Sequence, residues 1–217
     1  MQYQFRISGT SAILMHNGAA GLDTRSPVSR EIAAITAKRG GNRTEADDER
    51  LRQLECRRSL WLDAGGAPAI PATAVRAAIE TGARRRKQGP QVRGGLIVLE
   101  TVFEYDRERY GAKLEEISSE AQYTVPVLVK GSRVNRTRAR FDPPWSCTVT
   151  VDVDGELIDR EQLLEWLDIA GRQVGLGDWR PEKSGVFGRF KVTSFEEVAE
   201  CGHEGAGAAQ PDAAMQG

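Results

Sequence analysis

Three cysteines and two histidines are all the soft metal ligands that the 217 residues contain. Cys56, Cys147 and Cys201 are odd in number, far apart and never in a Cys-x-x-Cys pair, which excludes a disulfide framework and a zinc knuckle. They read as buried or incidental thiols. His16 follows the first apolar run, and His203 lies in a Gly/Ala-rich tail, where it and Cys201 offer two ligands, too few to close a site. No metal and no cofactor is expected. No apolar run approaches the roughly 20 residues that cross a bilayer. The opening MQYQFRISGTSAILMHNG also lacks the basic region, continuous apolar core and cleavage site of a secretory signal. A cytoplasmic protein with no membrane partner is the expectation.

What is present is an ordinary globular balance, 40% hydrophobic and 28% charged residues, with a net charge of −1 that conceals strong segregation. Between residues 72 and 95 stand Arg76, Arg84, Arg85, Arg86, Lys87 and Arg93 against Glu80 alone. Between 130 and 140 stand Lys130, Arg133, Arg136, Arg138 and Arg140 with no acid. Acidic residues gather around 45–55, 104–120, 152–168 and 196–204. The pattern implies a basic surface on an otherwise acidic body.

Alternation of Tyr3, Phe5 and Ile7 predicts a first strand that runs on into 12–15. Three- and four-residue spacing of apolar positions predicts helices over 29–38 and 45–61, broken by GGN. A further helix spans 71–87, with Pro at its start and a basic last turn. LIVLETVFEY at 96–105 is the clearest strand and is expected at the centre of a sheet. Strand-like alternation returns over 125–141 and 147–153, a helix over 158–174, and a last strand over 187–195. The tail 200–217 is expected to be disordered. Without its insertions the order is β, helix, β, β, helix, β, which predicts an α+β, ferredoxin-like (RRM-like) antiparallel sheet with both helices on one face.

Two stretches point to chemistry. In VNRTRARF the arginines 136, 138 and 140 occupy alternate positions, so an extended chain aims all three one way. With no acid inside the stretch they read as a phosphodiester track, and removing all three is expected to abolish binding with little change in thermal midpoint. ARRRKQGPQVR adds Arg84, Arg85, Arg86, Lys87 and Arg93 as a second basic cluster. The second stretch is GLGDWRPEKSGVFGRF at 175–190. It follows a helix and precedes a strand, the reverse of dinucleotide and P-loop fingerprints, which excludes nucleotide hydrolysis. What remains is a loop able to present Gly175, Gly177, Gly188, Arg180, Lys183 and Arg189 to a phosphate and Trp179 to a base. The alternative is a turn and nothing more.

AIPATAVRAAIETGARRR at 69–86 resembles the Ile-Pro-Gly-Ser-Ser-Leu-Arg-Gly-Ala-Leu-Arg element of the repeat-associated mysterious protein (RAMP) superfamily, and residues 175–190 resemble that superfamily's C-terminal glycine-rich loop. With the strand order, the likeness covers most of 1–196. It is nearest to the backbone subunit of CRISPR effector complexes, or to a stand-alone or phage-borne relative, with Ala72 and Ala78 in place of the family's glycines. The resemblance implies one domain over 1–199, an insertion at 20–62 and a thumb-like hairpin at 106–144. It also implies single-stranded RNA as partner, or ssDNA for a mobile-element relative, and head-to-tail homo-oligomers along the strand or assembly with other subunits. The expected protein is a binder without catalysis. The competing readings are a metal-dependent endoribonuclease using Asp23, a processing nuclease using His16 as general base, and an adaptor for acidic protein.

Overall fold

The structure, a computed structural model, describes residues 1–38, 40–129 and 131–198. Lys130, Cys201, His203 and the tail at 200–217 lie outside the described residues. Among those described, the chain forms strands β1 (Gln2–Gly9) and β2 (Ile13–Leu14), then helices α1 (Gly18–Leu22), α2 (Pro27–Ala37), α3 (Glu45–Ser59), α4 (Ala72–Arg84) and α5 (Gly89–Gly95). Strand β3 (Leu96–Glu104), helix α6 (Arg107–Tyr110), the hairpin β4 (Gln122–Val129) and β5 (Ser132–Phe141), strand β6 (Ser146–Val153), helix α7 (Arg160–Ile169) and strand β7 (Phe190–Val198) follow. The architecture is α+β with antiparallel sheets: β3-β6-β1-β7 in one, β2-β5-β4 in the other.

Strand β1 alternates because every second side chain enters the core: Tyr3, Phe5 and Ile7 are buried and pair across the sheet with Val151, Val149 and Cys147 of β6. Each such fully buried side chain contributes about 1.5–3 kcal/mol in transfer from water. Helix α4 covers that layer with Val75, Ala78, Ile79, Gly82 and Ala83, the i, i+3, i+4, i+7, i+8 stripe of an amphipathic helix. Helix α7, opened by a reciprocal Asp159/Gln162 capping box, adds Leu163, Trp166 and Leu167. The two helices meet at Gly82, where a Cβ would sit 2.5 Å from the Trp166 carbonyl oxygen. Only a glycine allows that approach.

The first strand does not run on to residue 15. Gly9 tucks beneath the Trp145 ring and donates its N–H to the Trp145 carbonyl, while the Trp145 indole donates to the Ser11 carbonyl (both 2.8 Å). The chain bends there, and Ile13 and Leu14 pair instead with Phe141 and Arg140. Strand β3 lies at a sheet edge, not the centre, and its Ile97, Leu99 and Val102 are exposed. Its β-branched composition reports a fit to a pleated surface and carries no information on how many neighbours flank it. Helix α4 stops at Arg84 rather than 87, because Lys87 takes a left-handed φ of 62°. Strand β7 begins at Phe190 rather than 187, because Gly188 spends its N–H on Ala12 in the preceding loop. Helices α1 and α5 have no counterpart in the periodicity reading.

The face of the larger sheet turned away from α4 and α7 presents Gln2, Gln4, Arg6, Thr148, Thr150 and Asp152 from its two central strands. An RRM-type surface stacks bases on aromatic residues of such strands. These positions hold none.

Candidate nucleic-acid interface

Strand β5 turns Thr137, Ala139 and Phe141 into the interior and Arg136, Arg138 and Arg140 to the opposite side, as alternation requires. Its inner edge is sealed by helix α3. Glu55 accepts the Thr137 N–H at 2.9 Å, and the Ser59 hydroxyl accepts the Ala139 N–H at 2.7 Å. The match is geometric: four residues of helix advance about 6 Å, and two residues of strand advance about 6.6 Å. Helix α3 thus satisfies donors on the stretch of β5 that the two-residue β2 leaves uncovered, and it fixes where the arginines stand.

The three arginines are not the unopposed track expected from VNRTRARF. Arg136 pairs with Glu55 at 2.7 Å, Arg138 with Asp178 at 3.0 Å, and Arg140 with Asp142 at 2.8 Å. Two of the carboxylates come from α3 and the glycine loop, remote in sequence, and the third lies just past the end of the stretch. Glu55 is only 4% exposed, so removing Arg136 strands a buried carboxylate. The expectation that all three arginines could be lost with little change in stability is therefore corrected. Arg136 and Arg138 each make one Nη1 contact to a carboxylate, which leaves the rest of the five-donor fork available, whereas Arg140 engages Asp142 through Nε and Nη2 and lies over the Tyr123 ring. Arg133 is exposed and has no ion pair among the described residues.

The glycine loop packs on β2. The Asp178 N–H bonds the Leu14 carbonyl and the Gly188 N–H the Ala12 carbonyl, both at 2.7 Å, while Gly175 and Leu176 donate to Ala170 and Gly188. Gly175, Gly177 and Gly188 have φ of 77°, 80° and 71°, the left-handed region open to glycine. Those four amides are engaged inside the fold. Arg180 is held by Glu182 and by the Gly177 carbonyl, and Arg189 donates to the Arg172 carbonyl at 2.8 Å. Lys183 is exposed and has no ion pair among the described residues. Trp179 is 44% exposed and sits at φ 46°, a strained conformation for a bulky residue, with its ring against Phe187 and Phe187 in turn against Tyr123 of the hairpin.

His16 stands where these parts meet. On one side, a cavity of about 210 Å³ is bounded by Trp61, the α4 alanines and the glycine loop. On the other, a cavity of about 180 Å³ is bounded by Arg58, Arg136, Arg138 and Asn17. Glu55, Arg136 and Thr137 continue that second cavity into a wider cleft, about 490 Å³, between α3 and the hairpin. Packing around the ring lowers the His16 pKa below the usual imidazole value, and Arg138 and Arg58 lower it further against the opposing pull of Asp178. Arg58 has no hydrogen bond or ion pair among the described residues.

No family model matches the chain, and no curated protein does.

The second basic cluster is a separate place. Arg84 pairs with Glu80 at 2.5 Å, Arg86 with Glu165 at 2.7 Å, and Arg93 approaches Glu80 at 3.8 Å; Arg85 and Lys87 are exposed and without ion pairs among the described residues. None of the five lines the cavities around His16. Among the residues that do, local pattern did not single out Arg58, Trp61, Asp178 or His16 for binding. Their signal is tertiary, apart from the rarity of histidine.

Asp23 closes α1 and accepts the Arg25 N–H at 3.0 Å, an Asx turn at an exposed site. Among the described residues no three His, Cys, Asp or Glu side chains gather as metal ligands. Asp23→Ala is expected to shift the melting temperature by no more than about 2 °C, and to leave labelled RNA as intact in Mg²⁺ as with the wild type. Wild-type cutting that vanishes in the variant reverses this assignment. Cys56 and Cys147 are buried, and burial pushes both thiols up to about 12, which makes them inert. No described helix is long and apolar enough to cross a membrane.

Proposed function

We propose that this chain binds single-stranded RNA without sequence preference and assembles head to tail along it, as a RAMP-like backbone subunit with a ferredoxin-like core. The observation that carries the reading is the convergence of Arg58 from α3 with Arg136 and Arg138 from β5 on one cavity, where Glu55 is the single carboxylate in the lining. A phosphodiester is the ligand class that three guanidiniums and a short cleft suit best. The order of elements supports the fold: β1, α4, β3, β6, α7 and β7 follow one another as β, helix, β, β, helix, β, with the strands in spatial order second, third, first, fourth. Helices α1 to α3 then fill the insertion at 20–62, and the β4–β5 hairpin takes the place of the thumb-like segment at 106–144. ssDNA is the alternative ligand of the same site, and parallel titrations with RNA and DNA of one sequence distinguish them.

Arg58→Gln tests the site with little disturbance, since Arg58 has no ion pair to lose among the described residues. In anisotropy titrations of labelled 30-nucleotide RNA, the variant is expected to reduce the slope of log affinity against log salt by about 0.7, the value of one phosphate contact on a single strand. The thermal midpoint should stay within about 2 °C. An unchanged slope removes Arg58 from the interface. Assembly is read by light scattering as a complex mass that rises in steps as the RNA is lengthened.

A further inference from the structure

We infer that the cavity between Trp61, helix α4 and the glycine loop is a nucleobase slot, with the attached phosphate seated in the adjoining cavity against Arg58 and Arg138. The inference rests on the nucleic-acid reading and narrows it to a unit of recognition: one nucleotide, base and phosphate held on opposite sides of His16.

Size and lining favour a base. Pockets for drug-sized ligands run to about 300–1,000 Å³, and this one, at about 210 Å³, suits a single planar ring system. Ala74, Ala77 and Ala78 sit at i, i+3 and i+4 of α4, so one helix face offers methyl groups only and leaves a flat wall. Trp61 supplies an indole at the cavity, and Gly175 and Gly177 contribute backbone without side chains. Base–aromatic contact is tolerant of sequence because every base has a π face. Polar groups at the rim are few: His16, Asp178 and Arg180. A neutral imidazole carries one donor and one acceptor, so His16 can meet either kind of base edge.

The phosphate side has its own cations. Arg58 lines the 180 Å³ cavity without a partner among the described residues, and Arg138 commits one nitrogen to Asp178. His16 lines both cavities. That shared wall is what makes one nucleotide, rather than two unrelated ligands, the natural occupant.

The test uses the full chain and saturation-transfer NMR with adenosine monophosphate, adenosine, ribose 5-phosphate and inorganic phosphate, beside anisotropy titration of 30-nucleotide RNA. Saturation should be strongest on the base protons of the monophosphate, and ribose 5-phosphate should bind at least tenfold more weakly. Ala77→Leu and, separately, Ala74→Leu fill the slot with a good helix former at positions that are not buried. Whichever folds should lose base saturation at least tenfold, while Arg58→Gln should weaken the monophosphate several-fold and leave adenosine unaffected. Undiminished base saturation in a folded, slot-filled variant overturns the inference, as does equal binding of ribose 5-phosphate. RNA affinity surviving either result would show that the wider reading stands without the slot. RNA that fails to bind the wild type sinks the wider reading, and the mononucleotide result then decides the slot alone.

Discussion

Glu55→Ala should lower the unfolding free energy by about 2–4 kcal/mol, the combined cost of a buried donor left without an acceptor and a cation left without its counterion. The donor is the Thr137 N–H and the cation is Arg136, both on the single carboxylate of a residue 4% exposed. Glu55→Gln keeps an acceptor for the amide and should recover roughly half of the loss. Urea denaturation reads both, as a lower midpoint at constant slope. Arg136→Ala should also destabilise, because it leaves the carboxylate buried, and the double variant Glu55→Ala/Arg136→Ala should lose less than the two single losses added. A loss below about 0.5 kcal/mol for Glu55→Ala, the level of an ordinary surface substitution, would mean that α3 does not hold β5 in this way. The consequence for function is direct: binding assays on arginine variants of β5 need to be normalised to the folded fraction.

That pair also marks where sequence reading stops. Helix α3 was legible as a helix from its apolar spacing, and Thr44 and Asp47 close its capping box. The alternation of arginines on β5 was legible too. What no local pattern contained was that Glu55 would meet a strand 81 residues later, or that Asp178 would meet Arg138. The arginines looked unopposed because opposition came from elements that fold against them from afar. In the same way LIVLETVFEY announced a strand but not its neighbours, and β3 proved to be an edge. The α+β class with antiparallel sheets held because each α4 and α7 stripe and each alternating strand is a local signal. Helices α1 and α5, five and seven residues long, are too short to show a period.

Gly188→Ala should cost about 3 kcal/mol or more, and affinity per folded molecule should hold. The residue has φ 71°, where any Cβ costs about 1–2 kcal/mol. An added methyl would also land on the Leu176 carbonyl, a backbone atom that cannot step aside. Leu176 and Gly188 are joined by the Leu176 N–H to Gly188 carbonyl bond at 2.9 Å, and the Gly188 N–H holds Ala12, so moving one strand of the loop pulls on β2. For a chain of this length, 217 residues, the loss corresponds to a fall of roughly 6–12 °C in melting temperature. Gly18→Ala is the control: it lies in α1, where an added Cβ meets nothing within 4 Å, and alanine there should be neutral or stabilising by about 0.5–1 kcal/mol. The sequence suggested that glycines of residues 175–190 open the backbone to a phosphate, in which case binding should suffer more than stability. The hydrogen bonds give the opposite expectation, since the amides of Gly175, Leu176, Asp178 and Gly188 already have partners within the fold. Calorimetry together with RNA titration of the folded fraction separates the two: lost affinity at an unchanged melting temperature would return Gly188 to the interface, and lost stability at an unchanged affinity assigns it to the scaffold that holds Asp178 against Arg138.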